Sequence, residues 1–457
     1  MAALVLATPV QLPDPDDWAN YLGVRNFSDG KLTIDGYTLY KQSMEVGKEG
    51  GILLQYLPVD KSNTKFALEK AHGYIFYLVP FYKAGLVRWG NVLLALGTVI
   101  VTYMLLKRLR DEKTAMIGGL LTLFTPIGLV MMNRIYMDTY ASMAFLAIGA
   151  GLYLYYHLER GRLKPWPGGL LLFFGFFFIV YSVISRYTNA PIAVVFGLHW
   201  LITRIIDWRK GRSSAFDWNL VPAVLGIALP AAILMVYDHF VFGSALKYSY
   251  AISPYPIKFA FQYFGQVDPG GKSIVNQILL YNGQGYARNL LLGFPLLIVG
   301  IPGFIFMVYQ KLFHKRVNPY GKWGSLNGEM PGDILWVLIG WFVCVFGLYW
   351  GYEWTAGIVK GGGMVIFDRF LLPGLFPIVI VCALVLARFP YKALVPALAV
   401  LIAYGAMFYL QWNNATLHIL PDWVTFRTLD SRWPGHGFAP WTEWDKLYGK
   451  FVPPPKK

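Results

Sequence analysis

The sequence predicts an all-α polytopic membrane protein, and three observations carry that prediction. Its 457 residues are 56% hydrophobic and only 14% charged, with a mean hydropathy of +0.46, whereas soluble domains carry about 25% charged residues. Ten apolar runs are long enough to cross a bilayer. Lys and Arg gather in alternate connections between those runs, so the net charge of +15 indicates basic membrane loops more than nucleic-acid binding.

The first 86 residues divide into two predicted units. Residues 1–13 are an apolar stub of about a dozen residues, too short to span a bilayer and without the basic region and cleavage site of a signal peptide. The stub is therefore expected to be the remnant of a first transmembrane helix or an interfacial segment. Residues 14–86 form a polar, aromatic-rich loop broken by Gly and Asp turns, and its part at 70–81 is expected to lie amphipathically at the interface.

The apolar runs of the region 87–412 are predicted to be transmembrane helices of a single bundle. Cys344 and Cys382 both fall inside such runs, which argues against a disulfide or a cysteine metal site. The runs lie near 87–107, 114–131, 139–157, 168–184, 190–206, 219–237, 288–309, 333–350, 371–388 and 393–411.

The basic residues give the orientation of this bundle. Alternate connections hold the following set: Lys107, Arg108, Arg110, Lys113, Arg160, Arg162, Lys164, Arg204, Arg209, Lys210, Arg212, Lys311, Lys315, Arg316, Lys322, Arg388 and Lys392. By the positive-inside rule this side is cytoplasmic. The segment 14–86, the loop 238–287 and the tail 413–457 are then expected outside the cell membrane.

Several charged residues remain on the expected outer side, where topology does not require them. They are Asp16, Asp17, Arg134, Asp138, Arg186 and Arg369. Charges at membrane depth are costly and often mark functional sites. The competing interpretations are snorkelling of the arginines at helix ends, and helix capping or a solvated loop for the aspartates.

The surroundings of these charges form an ordered series of motifs. Asp16-Asp17-Trp18-Ala19-Asn20-Tyr21 opens the series, and Phe27 to Leu32 follows with a Ser-Asp-Gly turn. Later members are Gly73-Tyr74 with Pro80-Phe81 and Gly85, Thr125-Pro126 before Asp138, Tyr237 to Ser244, and Gly363 to Pro373. The series resembles the polytopic glycosyltransferases with the GT-C fold, close to the family 39 group of protein mannosyltransferases and aminoarabinose transferases. The sequence departs from the family pattern in two ways. The segment before Asp16 is short, and the second acidic residue of the motif is Asp17, where Glu is commoner.

The resemblance implies a GT-C helical bundle that moves a sugar from a polyprenyl-phosphate donor to an acceptor hydroxyl on the extracytoplasmic side. Asp16 would be the general base of an inverting displacement, with Asp17 as its neighbour and Asp138 orienting the base, the acceptor or a cation. Arg369 and Arg186 lead the candidates for binding the lipid phosphate. The further candidates are His72, Arg134 and Lys83.

The partners expected from this interpretation are the lipid-linked donor, an acceptor lipid, protein or glycan, and membrane lipids, without nucleic acid. No metal ligand is assigned, although a divalent cation between Asp16 and Asp138 would suit clustered carboxylates. Two alternatives stay open. Membrane-depth charges also serve a transporter or flippase of polar lipids or solutes, and the short N-terminus fits a non-catalytic GT-C-like assembly subunit.

Overall fold

The structure is a computed structural model that describes most of the chain. The described residues are 6–8, 15–45, 55–211, 218–253, 258–313, 330–353, 355, 367–414 and 417–421. Most of the predicted stub 1–13, most of the tail 413–457 and the first part of the Gly363 to Pro373 motif lie outside these residues.

The predicted outer loop folds as three helices and a small sheet. Helix α1 (Pro15–Ser28) and helix α2 (Gly36–Glu45) are followed by helix α3 (Gly73–Lys83). Strands β1 (Ile34–Asp35), β2 (Tyr56–Pro58) and β3 (Lys65–Leu68) form an antiparallel sheet in the order β1-β3-β2. The sequence prediction did not include this sheet, because strands of two to four residues give almost no alternating apolar pattern.

Helix α1 is fixed against the rest of the molecule by its apolar face and by two buried hydrogen bonds. Ala19 and Leu22 are fully buried in the core. Asn20 donates its side-chain amide to the carbonyl of Tyr136 at 2.8 Å, and Tyr56 donates its hydroxyl to the carbonyl of Ala19 at 3.2 Å. These contacts set the position of the first turn, which carries Asp16 and Asp17.

The membrane bundle consists of the remaining helices. They are α4 (Val87–Leu109), α5 (Glu112–Phe124), α6 (Pro126–Asn133), α7 (Asp138–Glu159), α8 (Pro165–Ser185), α9 (Ala190–Arg209), α10 (Leu220–Phe242), α11 (Ile274–Gly293), α12 (Leu297–Phe313), α13 (Gly332–Trp350), α14 (Phe367–Leu371), α15 (Leu375–Leu386) and α16 (Tyr391–Asn413). Within the described ranges, eight helical stretches are long and apolar enough to span a membrane, or nine if α5 and α6 count as one span bent by 56°.

Prolines explain most of the difference from the ten predicted spans. The predicted run at 114–131 is not one straight helix. Thr125 has an extended backbone, and Pro126 starts a new helix after it. The predicted run at 288–309 is divided between α11 and α12 around Pro295, and α12 has only 17 residues. The predicted run at 371–388 starts at the end of α14 and continues, after a 3-10 turn at Leu372–Gly374, in α15. The other predicted runs correspond to single helices.

Helix α7 is largely buried in the bundle and packs closely on α8 through glycines. A Cβ atom added at Gly149 would lie 2.6 Å from the carbonyl oxygen of Gly175 and 2.6 Å from the backbone nitrogen of Ile179. Asp138 begins α7, and Arg160 in a basic connection follows its other end. We call these two ends of the bundle the Asp16 end and the basic end.

The close approach of α7 and α8 gives a test of the packing. Gly149→Ala should lower the free energy of unfolding by about 1–3 kcal/mol, since backbone atoms of α8 cannot move aside cheaply. Gly197→Ala on α9 is the matched control, because no atom lies within 4 Å of its added Cβ. Thermal unfolding of both purified variants in detergent measures the difference. Equal stability of the two variants would contradict the packing described for α7 and α8.

Candidate active site

Asp16 lies between two cationic side chains from distant parts of the sequence. Lys70 Nζ is 3.2 Å from Asp16 Oδ1, and Arg369 Nη2 donates to Asp16 Oδ2 at 3.1 Å. Lys70 comes just after β3, and Arg369 belongs to α14. The Asp16 side chain is only 20% exposed. The carboxylate therefore joins α1, the loop before α3 and the helix α14 that precedes α15 at one point.

A second ion pair lies beside the first. Arg186 Nη1 donates to Asp138 Oδ1 at 3.2 Å and to Thr139 Oγ1 at 2.9 Å. The guanidinium carbons of Arg186 and Arg369 lie 5.1 and 5.0 Å from the centre of the same Phe370 ring, within the range of cation–π attraction. Contacts thus run continuously from Asp16 through Arg369, Phe370 and Arg186 to Asp138, and the structure brings these four predicted charged residues together.

The charges of this cluster determine how Asp16 titrates. Burial acts to raise the Asp16 pKa, but the opposing fields of Lys70 and Arg369 prevail and the pKa falls to about 2. Burial acts to lower the Lys70 pKa, and the field of Asp16 prevails there as well, so this pKa is raised. Both groups are consequently charged at neutral pH, and Asp16 is an ionised carboxylate able to accept a proton.

Asp17 differs from its neighbour because successive residues of a helix point about 100° apart. It forms a salt bridge with Arg134 in which the two side chains are 0% and 2% exposed. Arg134 lies between α6 and α7. This salt bridge connects α1 to the bundle next to Asp16. Because the Arg134 side chain is buried, a phosphate at the site could not reach it.

His72 and Lys83 lie outside the group of charges, in contrast to their predicted phosphate-binding role. His72 is fully buried, with Nε2 at 2.7 Å from the Tyr237 hydroxyl and its ring packed near Phe27. Burial lowers the His72 pKa to about 3, so the ring is neutral at physiological pH. Lys83 is exposed in the last turn of α3, at the other end of that helix.

Lys70 is the contact that sequence reasoning missed. It lies in the polar, aromatic stretch before α3, where a lysine at an interface carries no distinguishing signal. Only the position of β3 and the small sheet brings Lys70 to Asp16. The expected cation between Asp16 and Asp138 fits this arrangement poorly, because each carboxylate already has Lys or Arg as a partner.

Comparison with solved structures assigns the fold. ArnT from Cupriavidus metallidurans bound to undecaprenyl phosphate aligns with a TM-score of 0.50 and 12% identity, over 98% of this chain and 71% of that one. The Archaeoglobus fulgidus oligosaccharyltransferase in its apo form gives a TM-score of 0.49 and 13% identity over 99% of this chain. The archaeal oligosaccharyltransferase AglB from Archaeoglobus fulgidus, in complex with an inhibitory peptide and a dolichol-phosphate, gives a TM-score of 0.49 and 14% identity over 99% of this chain.

At these identities the likeness shows the fold alone. The chain spans 58% and 59% of the two archaeal chains. No family model and no curated protein matches the sequence. The likeness to ArnT confirms the predicted all-α polytopic membrane architecture of the GT-C type.

The buried pair beneath Asp16 generates a stability prediction. Asp17→Ala should lower the free energy of unfolding by about 3–5 kcal/mol, because it leaves the Arg134 charge buried without its partner. Replacing both residues, Asp17→Leu with Arg134→Met, should recover part of that loss. Arg25→Gln is the control, since Arg25 and Glu45 form an exposed pair at 3.6 Å worth at most about 1 kcal/mol. Thermal unfolding of the variants in detergent measures these differences. A loss of stability for Asp17→Ala no larger than for Arg25→Gln would refute the stabilising role of the Asp17–Arg134 pair.

Proposed function

We propose that the chain is a membrane glycosyltransferase that moves a sugar from a polyprenyl-phosphate donor to an acceptor hydroxyl. The observation that carries the proposal is the ionised Asp16 carboxylate held between Lys70 and Arg369 beside the Asp138–Arg186 pair. A carboxylate among several cations offers both a proton acceptor and a binding site for phosphate. The donor class is supported by the fold, which this chain shares with a protein whose structure contains undecaprenyl phosphate.

Asp16 is the proposed general base. An acceptor hydroxyl is a weak nucleophile until its proton is removed, and a carboxylate at hydrogen-bond distance can remove it. A lipid phosphate is a good leaving group, so one base is sufficient for a direct displacement at the anomeric carbon. That single displacement inverts the anomeric configuration, whereas retention requires a second, covalently attached carboxylate.

Arg369 and Arg186 are the proposed phosphate ligands, with Lys70 beside them. A guanidinium presents parallel N–H groups that match two phosphate oxygens, and it stabilises the negative charge that grows as the glycosidic bond breaks. Both guanidiniums lie over the Phe370 ring, at similar distances from its centre, so the ring positions the two cations near each other. Asp138 would keep Arg186 in place through the 3.2 Å salt bridge.

This arrangement couples donor binding to the strength of the base. Lys70 and Arg369 hold the Asp16 pKa at about 2, which makes the carboxylate a weak base. A donor phosphate would share the positive charge of Arg369 and Lys70, so their field on Asp16 would weaken. The Asp16 pKa would then rise towards the range in which a carboxylate accepts a proton effectively. Proton transfer would thus be favoured only when the donor is present.

The proposed side of reaction follows from the basic connections. Helix α7 begins with Asp138 and ends at Glu159, beside Arg160. Its 22 residues span about 33 Å at 1.5 Å per residue, roughly the thickness of a bilayer core. If the basic end is cytoplasmic, as the positive-inside rule predicts, the Asp16 end is extracytoplasmic.

The first test removes the proposed base. Asp16→Asn should reduce sugar transfer by about 10²–10⁴-fold, since the amide cannot accept the proton. The assay follows radiolabelled sugar from a panel of synthetic polyprenyl-phosphate sugars into membrane acceptors. Asp29→Asn, an exposed carboxylate just after α1, is the matched control and should retain full activity.

Size-exclusion and thermal unfolding profiles establish that the Asp16→Asn protein is folded. Transfer at the wild-type rate by this folded variant would refute the base assignment. Movement of labelled lipid across proteoliposomes that persists in Asp16→Asn, with no transfer by the wild type, would instead favour the transporter.

The second test uses the pH dependence. Lys70 lowers the Asp16 pKa, so Lys70→Gln should raise it by about one unit or more. Activity at subsaturating donor is lost as the pH falls through the Asp16 pKa, and this acidic limb should therefore move to higher pH in Lys70→Gln. Lys31→Gln, an exposed lysine of the same loop, should leave the limb in place. An unshifted acidic limb in Lys70→Gln would exclude Asp16 as the titrating group.

A further inference from the structure

A second group of ionisable side chains lies near the basic end, on three different helices. His157 belongs to α7, His199 to α9 and Asp333 to the first turn of α13. One donor atom from each residue lies within 4.8 Å of the other two. His157 Nε2 is 2.8 Å from Asp333 Oδ2, and His199 Nε2 is 3.6 Å from the same oxygen. We call these three residues the His–His–Asp cluster.

The environment of His199 indicates that the cluster has a ligand. Its side chain is only 9% exposed, and its Nε2 atom has no hydrogen-bond partner among the residues that the structure describes. The Asp333 oxygen at 3.6 Å is beyond hydrogen-bond distance. Nδ1 is 2.7 Å from the Tyr153 hydroxyl, so it can donate its proton there and leave the Nε2 lone pair directed into the cluster. A buried nitrogen without a partner is costly, which makes a bound cation the natural complement.

We propose that the His–His–Asp cluster binds one divalent transition-metal ion of the Zn²⁺ type. The ligands are His157 Nε2, His199 Nε2 and Asp333 Oδ2. Donor atoms around a tetrahedral zinc ion lie roughly 3.3–3.5 Å from one another, given bond lengths of about 2.0–2.2 Å. The observed 2.8 and 3.6 Å separations from Asp333 Oδ2 bracket this value. All three donor atoms lie within 4.8 Å of one another, so the side chains must adjust to close around the ion. Asp333 is 41% exposed, which provides an entry path and an open fourth position for water.

Tyr153 and Arg160 act on the cluster in opposite ways. Tyr153 accepts the Nδ1 proton of His199 and holds the tautomer that coordinates a metal. Arg160 Nη1 donates to His157 Nδ1 at 2.5 Å and lies 3.3 Å from His157 Nε2. The His157 proton is therefore on Nε2 and faces Asp333. Metal binding replaces that proton, and the neutral ring then carries a proton on Nδ1. Arg160 must leave this nitrogen and keep its other partner, Asp207 at 3.1 Å.

The expected consequence is mechanical coupling of three helices. The ion would join the basic ends of α7 and α13 to the middle of α9. It would stabilise the folded chain, because the unfolded chain has no preformed site. His157 and Asp138 are 19 residues apart on α7, or about 29 Å. The ion is therefore too far from Asp16 and Asp138 to take part in the chemistry there, and the inference does not depend on the proposed transferase activity.

The test is metal binding to the full chain in detergent. EDTA-treated protein is titrated with Co²⁺, whose intense visible absorption reports four-coordinate binding, and Zn²⁺ stoichiometry is measured by elemental analysis. The wild type should bind one ion per chain, and Zn²⁺ should raise its thermal midpoint. His199→Ala and Asp333→Asn should each weaken binding by at least about tenfold and lose this rise. His239→Ala, an exposed histidine at the Asp16 end, and Asp16→Asn should bind like the wild type.

Arg160→Gln provides a variant with the opposite expectation. It removes a positive charge beside the ion and offers a carbonyl acceptor to His157 Nδ1, so Co²⁺ should bind more tightly. Equal or weaker binding would contradict His157 as a ligand. Absence of Co²⁺ binding by the wild type, or unchanged binding in Asp333→Asn, would overturn the proposal. Because Asp333 is half-exposed, its variant decides the question even if His199→Ala does not fold.

Discussion

The interaction on which the site depends is the contact of Asp16 with Lys70 and Arg369. A carboxylate buried this far is stable only if nearby charges replace its lost hydration. The two cations come from the loop before α3 and from α14, so both regions must fold against α1 for Asp16 to stay ionised when it is buried. Neither segment alone contains the site. The same charges that stabilise the carboxylate are those that a phosphate would attract, so binding and basicity share one set of atoms.

Helix geometry gives the two adjacent aspartates different surroundings and therefore different roles. Asp16 and Asp17 are both in the first turn of α1, where the helix dipole favours negative charge. The rotation between them directs Asp17 into the core against Arg134 and leaves Asp16 beside Lys70 and Arg369. Removing one partner of a buried ion pair strongly destabilises the fold. The pair of Asp17 with Arg134 therefore fixes the position of α1, and with it the position of Asp16. One acidic residue holds the helix, and the other remains available for chemistry.

The sequence was sufficient for the membrane fold and for most of the charges, and insufficient for what tertiary packing decides. Apolar runs of about twenty residues must become helices in a bilayer, which is why most predicted spans match single helices. Arg186, Arg369 and Asp138 were predicted because charges at membrane depth need a reason, and in the structure they lie together with Asp16. Lys70 was not predicted, because it follows a sheet too short to show a pattern in the sequence. The enclosure of His72 by Tyr237 and Phe27 was not predicted either, because those residues are distant from it in the sequence.

The Asp16–Asp138 charges and the His–His–Asp cluster are linked by one helix, α7, which carries a member of each group near opposite ends. Asp138 begins α7, and His157 lies in its last turn. A rigid helix transmits a displacement of one end to the other, and Gly149 keeps α7 in backbone contact with α8 between them. An ion that fixes the basic end against α9 and α13 would therefore also limit the movement of Asp138, and through it the position of Arg186. Structural support of this kind requires no ligand of the ion to touch the substrate, which distinguishes the His–His–Asp cluster from a catalytic metal site.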